Sequence, residues 1–147
     1  LPHLAIRLRE HSRRALIMAR RLDELGVMVT YPGLTSHPQH ERFKGILNRD
    51  FGYGGMLTID CKKQSTAEAL LAALQNREDF GYIAVSLGYF DTLMSCSSSS
   101  TSSEISDQEQ VHMGLSRGLI RISVGYTGSL AARLDQLEKA LKHVGMI

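Results

Sequence analysis

The run Gly118-Leu119-Ile120-Arg121-Ile122-Ser123-Val124-Gly125 constrains the chain most. Its β-branched residues recur at every second place between two glycines, a pattern that suits a strand and makes a poor helix. Strand alternation puts Ile120, Ile122 and Val124 on one face and Leu119, Arg121 and Ser123 on the other. The apolar face must pack against a second layer, and Arg121 then points away from it. Arginine keeps its charge at ordinary pH and presents a planar fork of donors. Two readings stay open from the residues alone: Arg121 lies on a solvated sheet face, or it grips a carboxylate or phosphate.

The segments around this run alternate between helical and strand periods. Leu4, Leu8, Ala15, Ala19, Leu22 and Leu25 predict a long amphipathic helix ended by Gly26, with its arginines on a solvated face. Residues 27–30 predict a strand that stops at the turn Tyr31-Pro32-Gly33, and Pro38 opens a short helix through Phe43, Ile46 and Leu47. Residues 56–60 predict a second strand. Ser65-Thr66-Ala67-Glu68 matches a capping box ahead of a helix carrying Leu70, Leu71 and Leu74. Residues 81–87 predict a third strand, broken at Gly88, and the serine-rich residues 95–103 predict a loop. Ser129 caps a final helix in which Leu130, Leu134, Leu137, Leu141 and Val144 form one stripe. About four strands and three sizeable helices predict a single α/β domain. Its form is a two-layer sandwich, a small, mostly antiparallel sheet with helices on one face and the other face uncovered.

Several function classes are disfavoured. A net charge of +2 is too small for a nucleic-acid or anionic-membrane surface, and the arginines of residues 4–25 come without interleaved aromatics. Cys61 and Cys96 have neither disulfide-framework nor zinc spacing, which favours a reducing, cytoplasmic setting. No apolar run approaches a membrane span. His37 and His40 have a metal-like spacing without supporting carboxylates or thiols, so no metal site is expected. The glycine-rich residues 51–55 lack a phosphate loop's lysine and hydroxyl and precede a strand instead of a helix. The chain opens at Leu1, which points to a piece of a longer protein.

Four motifs in order carry a resemblance over nearly the whole chain. They are Tyr31-Pro32-Gly33-Leu34 with Ser36-His37-Pro38-Gln39-His40; Phe51-Gly52 with Gly54-Gly55-Met56-Leu57; Val85-Ser86-Leu87-Gly88 with Thr92-Leu93; and residues 118–125. Together they resemble the C-terminal small domain of the Cys/Met-metabolism family of pyridoxal-phosphate enzymes, the cystathionine γ-synthase-like group. Residues 49–55 and 95–103 resemble its plant branch acting on methionine.

The resemblance implies that Arg121 grips the substrate's α-carboxylate, with Ser86 beside it. Val85 stands where members that process cystathionine commonly carry glutamate, which favours a thioether substrate. Strict alternation sends Val85 and Ser86 to opposite faces, so both line one pocket only if the strand bends near Gly88. The relatives' loop at residues 95–103 differs, so no contact is carried over to Thr101. The implied activity of the intact enzyme is γ-elimination of methionine to methanethiol, 2-oxobutanoate and ammonia. Cystathionine γ-lyase or synthase and O-acylhomoserine sulfhydrylase chemistry are the alternatives.

The resemblance places the cofactor lysine and the other catalytic and cofactor-binding residues in a preceding large domain. Lys44, Lys62, Lys63, Lys139 and Lys142 have none of that lysine's Ser-x-Thr surround, so this chain by itself is expected to be inactive. Its implied partners are the amino-acid substrate, its own large domain and the neighbouring subunits of a homotetramer. A free-standing amino-acid-binding regulatory module, using Arg121 for the carboxylate, is the alternative of another class.

Overall fold

The computed structural model describes residues 3–97, 107–112 and 114–147. Helix α1, Leu4–Glu24, ends in a glycine-based cap. Gly26 takes φ +75°, which lets its N–H reach Asp23 O and the Val27 N–H reach Leu22 O. Short strand β1, Val29–Thr30, and helix α2, His40–Ile46, follow, the helix starting two residues after Pro38. Strand β2 is Met56–Asp60 and helix α3 is Gln64–Ala72, widening into a π-helical turn at Ala73–Arg77. Strands β3, Tyr82–Ile83, and β4, Leu93–Cys96, precede helix α4, Asp107–His112. Strand β5, Leu119–Ser123, and helix α5, Leu130–His143, complete the chain's regular elements among the described residues. Ser129 Oγ caps α5 by accepting from the Ala132 N–H at 3.2 Å, as its position predicts.

The sheet has five strands in the order β1-β2-β5-β4-β3, so the Arg121 strand is central. Every neighbouring pair is antiparallel except β3 and β4. Ile120, Ile122 and Val124 are buried in the core with Leu57, Ile59, Met94 and Cys96. Against them pack Ala15, Met18, Ala19 and Leu22 of α1, Ala67, Leu70 and Leu71 of α3, and Leu137, Ala140 and Leu141 of α5. Each fully buried leucine or isoleucine contributes about 1.5–3 kcal/mol, which fixes the helices to this one face.

Four expectations need correction. Residues 81–87 do not form one strand: only Tyr82–Ile83 pair with β4, and the chain leaves the sheet beyond Ala84, whose N–H still reaches Met94 O. A parallel partner to β4 requires the intervening chain to travel back along the sheet, and here it does so across the outer face. Second, Ser95 and Cys96 belong to β4 instead of a loop. Pairing with central β5 and burial override the weak strand propensity of serine. The rest of the serine-rich stretch, from residue 98 and including Thr101, lies outside the described residues. Third, Ser65 does not cap α3. Lys62 at φ +63° has its N–H held by Asp60 Oδ1, so the chain is already helical by Gln64, and Gln64 Nε2 donates to Glu68 Oε1. Fourth, the outer face is not bare, since Leu93, Ser95 and Ser123 on it are buried.

Candidate functional site

The site lies on that outer face, where residues 84–91 cross the sheet. Arg121 stands between Thr58 of β2 and Ser95 of β4, its direct cross-strand partners. Its Nη2 donates to the backbone carbonyl of Ser86 at 3.0 Å. Two residues on, the Gly88 N–H donates to Ser123 Oγ at 2.9 Å, and the Gly88 carbonyl accepts from Arg7 Nη2 at 2.7 Å. At its far end the segment is stitched to the tail of β5. Tyr126 N–H donates to Phe90 O, and Gly125 N–H donates to Thr92 Oγ1 at 3.0 Å. Gly125 admits the approach because it has no side chain: a Cβ there would lie 2.3 Å from the Asp91 carbonyl carbon and 2.5 Å from Phe90 O.

The charge of Arg121 is held by a neutral anchor. Among the described residues no acidic side chain forms an ion pair with it, and its buried Nε has no hydrogen-bond partner. A partly buried guanidinium bonded to a carbonyl keeps its net charge for an incoming anion, whereas a local carboxylate would cancel it. The structure thus turns Arg121 away from the helices, as alternation predicts. Ser86 and Val85 both fall in the irregular crossing segment, so the alternation that would have separated them does not apply. Ser86 meets Arg121 through its carbonyl. Val85 is 64% exposed and Leu87 63%, with Tyr89 and Phe90 also exposed, which sets an apolar fringe beside the cation.

Sequence periodicity missed the contribution of α1. Arg7 lies 5.9 Å from the centroid of the Tyr126 ring, and His11 meets the same ring edge-on at 5.1 Å. His11 is buried, with Nδ1 2.5 Å from Val124 O. Arg14 is buried as well, donating to Thr127 O, Gly128 O and Glu10 Oε1 at 2.7–3.0 Å. Hydrogen bonding from Arg13 first, and then from Arg14, lowers the Glu10 carboxyl to about 2 against the opposing effect of burial. Conversely, the apolar Leu4 and Leu8 are exposed, so the predicted stripe packs only from Ala15 onward. A histidine and an arginine one turn from a packing stripe were the signal available for this.

Other candidate chemistry is absorbed by structure. His40 stacks on Tyr53 and its Nδ1 contacts Pro32 O at 2.8 Å, while His37 Nδ1 accepts from the Gln39 N–H. No cluster of three or more possible metal ligands occurs among the described residues. No described helix is long and apolar enough to cross a membrane.

Comparison with known proteins identifies the family. Residues 1–142 match the family model described as Cys/Met metabolism PLP-dependent enzyme. The chain belongs to that family. It is 55% identical to methionine gamma-lyase of Arabidopsis thaliana over 140 residues, covering 95% of this chain and 32% of that protein. It is 34% identical to cystathionine gamma-lyase of Dictyostelium discoideum over 127 residues, covering 85% of this chain and 31% of that protein. Among solved structures, cystathionine gamma synthase of Xanthomonas oryzae pv. oryzae in complex with cystathionine aligns with TM-score 0.81 at 27% identity. That match covers 98% of this chain and 36% of the other. The chain therefore spans about a third of the length of its relatives.

Pyridoxal phosphate, the cofactor of the family, needs a lysine amine held in a closed pocket and a phosphate cradle. All five lysines here are exposed, Lys44 pairing with Glu41 and Lys139 with Asp135. The glycine-rich residues 51–55 lead into β2, and no helix begins there. None of these lysines is enclosed in a closed pocket, and residues 51–55 offer no helix N-terminus to a phosphate. What the described residues do form is a fixed cation with an apolar edge.

Proposed function

We propose that this chain is the carboxylate-gripping part of a pyridoxal-phosphate-dependent carbon–sulfur lyase whose substrate is methionine. The activity proposed is elimination of methanethiol to leave 2-oxobutanoate and ammonia. One observation carries the proposal: Arg121 projects from the central strand on the side opposite the helices, anchored by the neutral Ser86 carbonyl. A fork held on a rigid strand fixes the carboxylate end of an amino acid, and the rest of the molecule then extends over the fringe at Val85. Valine accepts a thioether tail and offers nothing to a distal ammonium group, which favours methionine over cystathionine. The 55% identity to a methionine gamma-lyase supports the same choice.

Bound pyridoxal phosphate would supply the electron sink for the elimination. Under this reading the cofactor and its lysine are held by sequence beyond these 147 residues. The exposed apolar side chains of residues 82–90 and of Leu4, Ile6 and Leu8 suit burial against that larger part or a neighbouring subunit. A homotetramer in the cytoplasm agrees with this arrangement and with two buried cysteines, Cys61 and Cys96, that are not joined in a disulfide.

The test is steady-state kinetics of the full-length enzyme carrying Arg121→Ala or Arg121→Lys. Loss of a charge-assisted, two-point contact of about 1.5–3 kcal/mol raises KM for methionine by roughly 10- to 150-fold. Lysine restores only part of this because it lacks the planar fork. Unchanged KM in Arg121→Ala would refute the proposed role.

A further inference from the structure

Arg121 and Ser95 face each other across adjacent strands, on the outer side of the sheet. Each keeps a buried polar atom without a hydrogen-bond partner, Nε of Arg121 and Oγ of Ser95. Ser95 is 2% exposed, so water does not satisfy its hydroxyl from the surface. The two orphaned groups are complementary: Nε–H only donates, and a serine hydroxyl can accept. Directly opposed residues in an antiparallel pair have Cβ atoms about 4.5–5.5 Å apart, within reach of a small turn of the arginine stem. Thr58, on the other flank of Arg121, is partly exposed, so its hydroxyl can turn to solvent.

The present anchor of the guanidinium is the Ser86 carbonyl, which belongs to no strand: residues 84–91 lie outside the regular sheet pairing apart from the first N–H of the segment. A carboxylate competing for Nη2 would release that anchor, and the fork then needs a second fixed point on the sheet itself. We propose that Ser95 is a positioning residue for Arg121, its hydroxyl accepting the Nε–H and setting the plane of the fork when the outer nitrogens hold a substrate carboxylate. This rests on the reading of Arg121 as the carboxylate clamp. Ser95 touches no reacting atom; it acts through the angle of the guanidinium.

The experiment uses the full-length enzyme with Ser95→Ala, Ser95→Thr and Arg121→Ala, alone and Ser95→Ala combined with Arg121→Ala. Two readouts are compared: KM and kcat for methionine, and inhibition by 3-(methylthio)propylamine, which has the same tail and amine without the carboxylate. Ser95→Ala is expected to raise KM about tenfold with kcat within about twofold, and to leave inhibition by the amine unchanged. Ser95→Thr, which keeps the hydroxyl, restores KM, and Ser95→Ala adds nothing once Arg121 is alanine. If Arg121→Ala leaves KM unchanged, the clamp reading fails and this inference falls with it. If Arg121→Ala raises KM but Ser95→Ala does not, or weakens the amine equally, the role of Ser95 alone is overturned. Should Ser95→Ala not accumulate folded, Ser95→Cys keeps the volume with a weak acceptor and is held to the same outcomes.

Discussion

Gly125→Ala is the perturbation that best separates a packed site from a loop merely lying on a sheet. A Cβ at this position would sit 2.3 Å from the Asp91 carbonyl carbon, 2.5 Å from Phe90 O and 2.5 Å from the Thr92 nitrogen. All three atoms are backbone, so relief requires the segment to move by about 1 Å instead of one side chain to turn. That shift breaks the Gly125 N–H to Thr92 Oγ1 bond, which is buried, and the Tyr126 N–H to Phe90 O bond. Strain of about 1–3 kcal/mol together with two lost hydrogen bonds at about 0.5–1.5 kcal/mol each gives roughly 2–6 kcal/mol. Because the same segment carries the Ser86 carbonyl that anchors Arg121, KM for methionine should rise along with the loss of stability. Urea denaturation of the full-length enzyme, followed by kinetics on the fraction that remains folded, measures both. A variant with an unshifted midpoint and an unaltered KM would show that the segment is free to relax and that the latch argument is wrong.

Arg14→Ala should cost about 2–4 kcal/mol by denaturant titration, since it removes a buried cation with three acceptors, whereas Arg20→Ala on the exposed side of the same helix should fall within about 0.5 kcal/mol. The Glu10 carboxyl lies at about 2 in the folded chain against an ordinary 4.5. Its contribution is therefore present above pH 4.5 and is lost as pH falls from there through 2, so Glu10→Gln should flatten the stability profile over that window in an acid titration. Val85→Glu should shift the ratio of specificity constants toward cystathionine, and an unchanged ratio measured by product analysis would remove Val85 from the specificity account.

The parts of the chain legible from sequence are those governed by a short repeat. Alternation placed Ile120, Ile122 and Val124 in the core and Arg121 opposite them, and the leucine period of residues 130–144 gave α5 with its serine cap. Where local chemistry competed with long-range contact, the reading drifted. Ser95 and Cys96 look like loop by composition, yet they pair with β5. Residues 84–87 look like strand by composition, yet a latch to Arg121, Ser123 and Arg7 holds them off the sheet's regular pairing. Arg14 looks like part of a wet helix face, yet the backbone carbonyls of Thr127 and Gly128 receive it, as that of Val124 meets the neighbouring His11.

By itself, then, the order of residues determined which elements form, which face of the central strand is apolar, and that a permanent cation stands on the other. Those outcomes depend on spacing over a few residues, where sterics and side-chain periodicity act directly. Only the tertiary structure decided what that cation meets: a neutral carbonyl from a crossing segment 35 positions earlier in the chain, and an unpaired serine on the next strand. Such pairings depend on strand order and register, which bring distant segments together through burial of one shared core and leave no trace in local spacing.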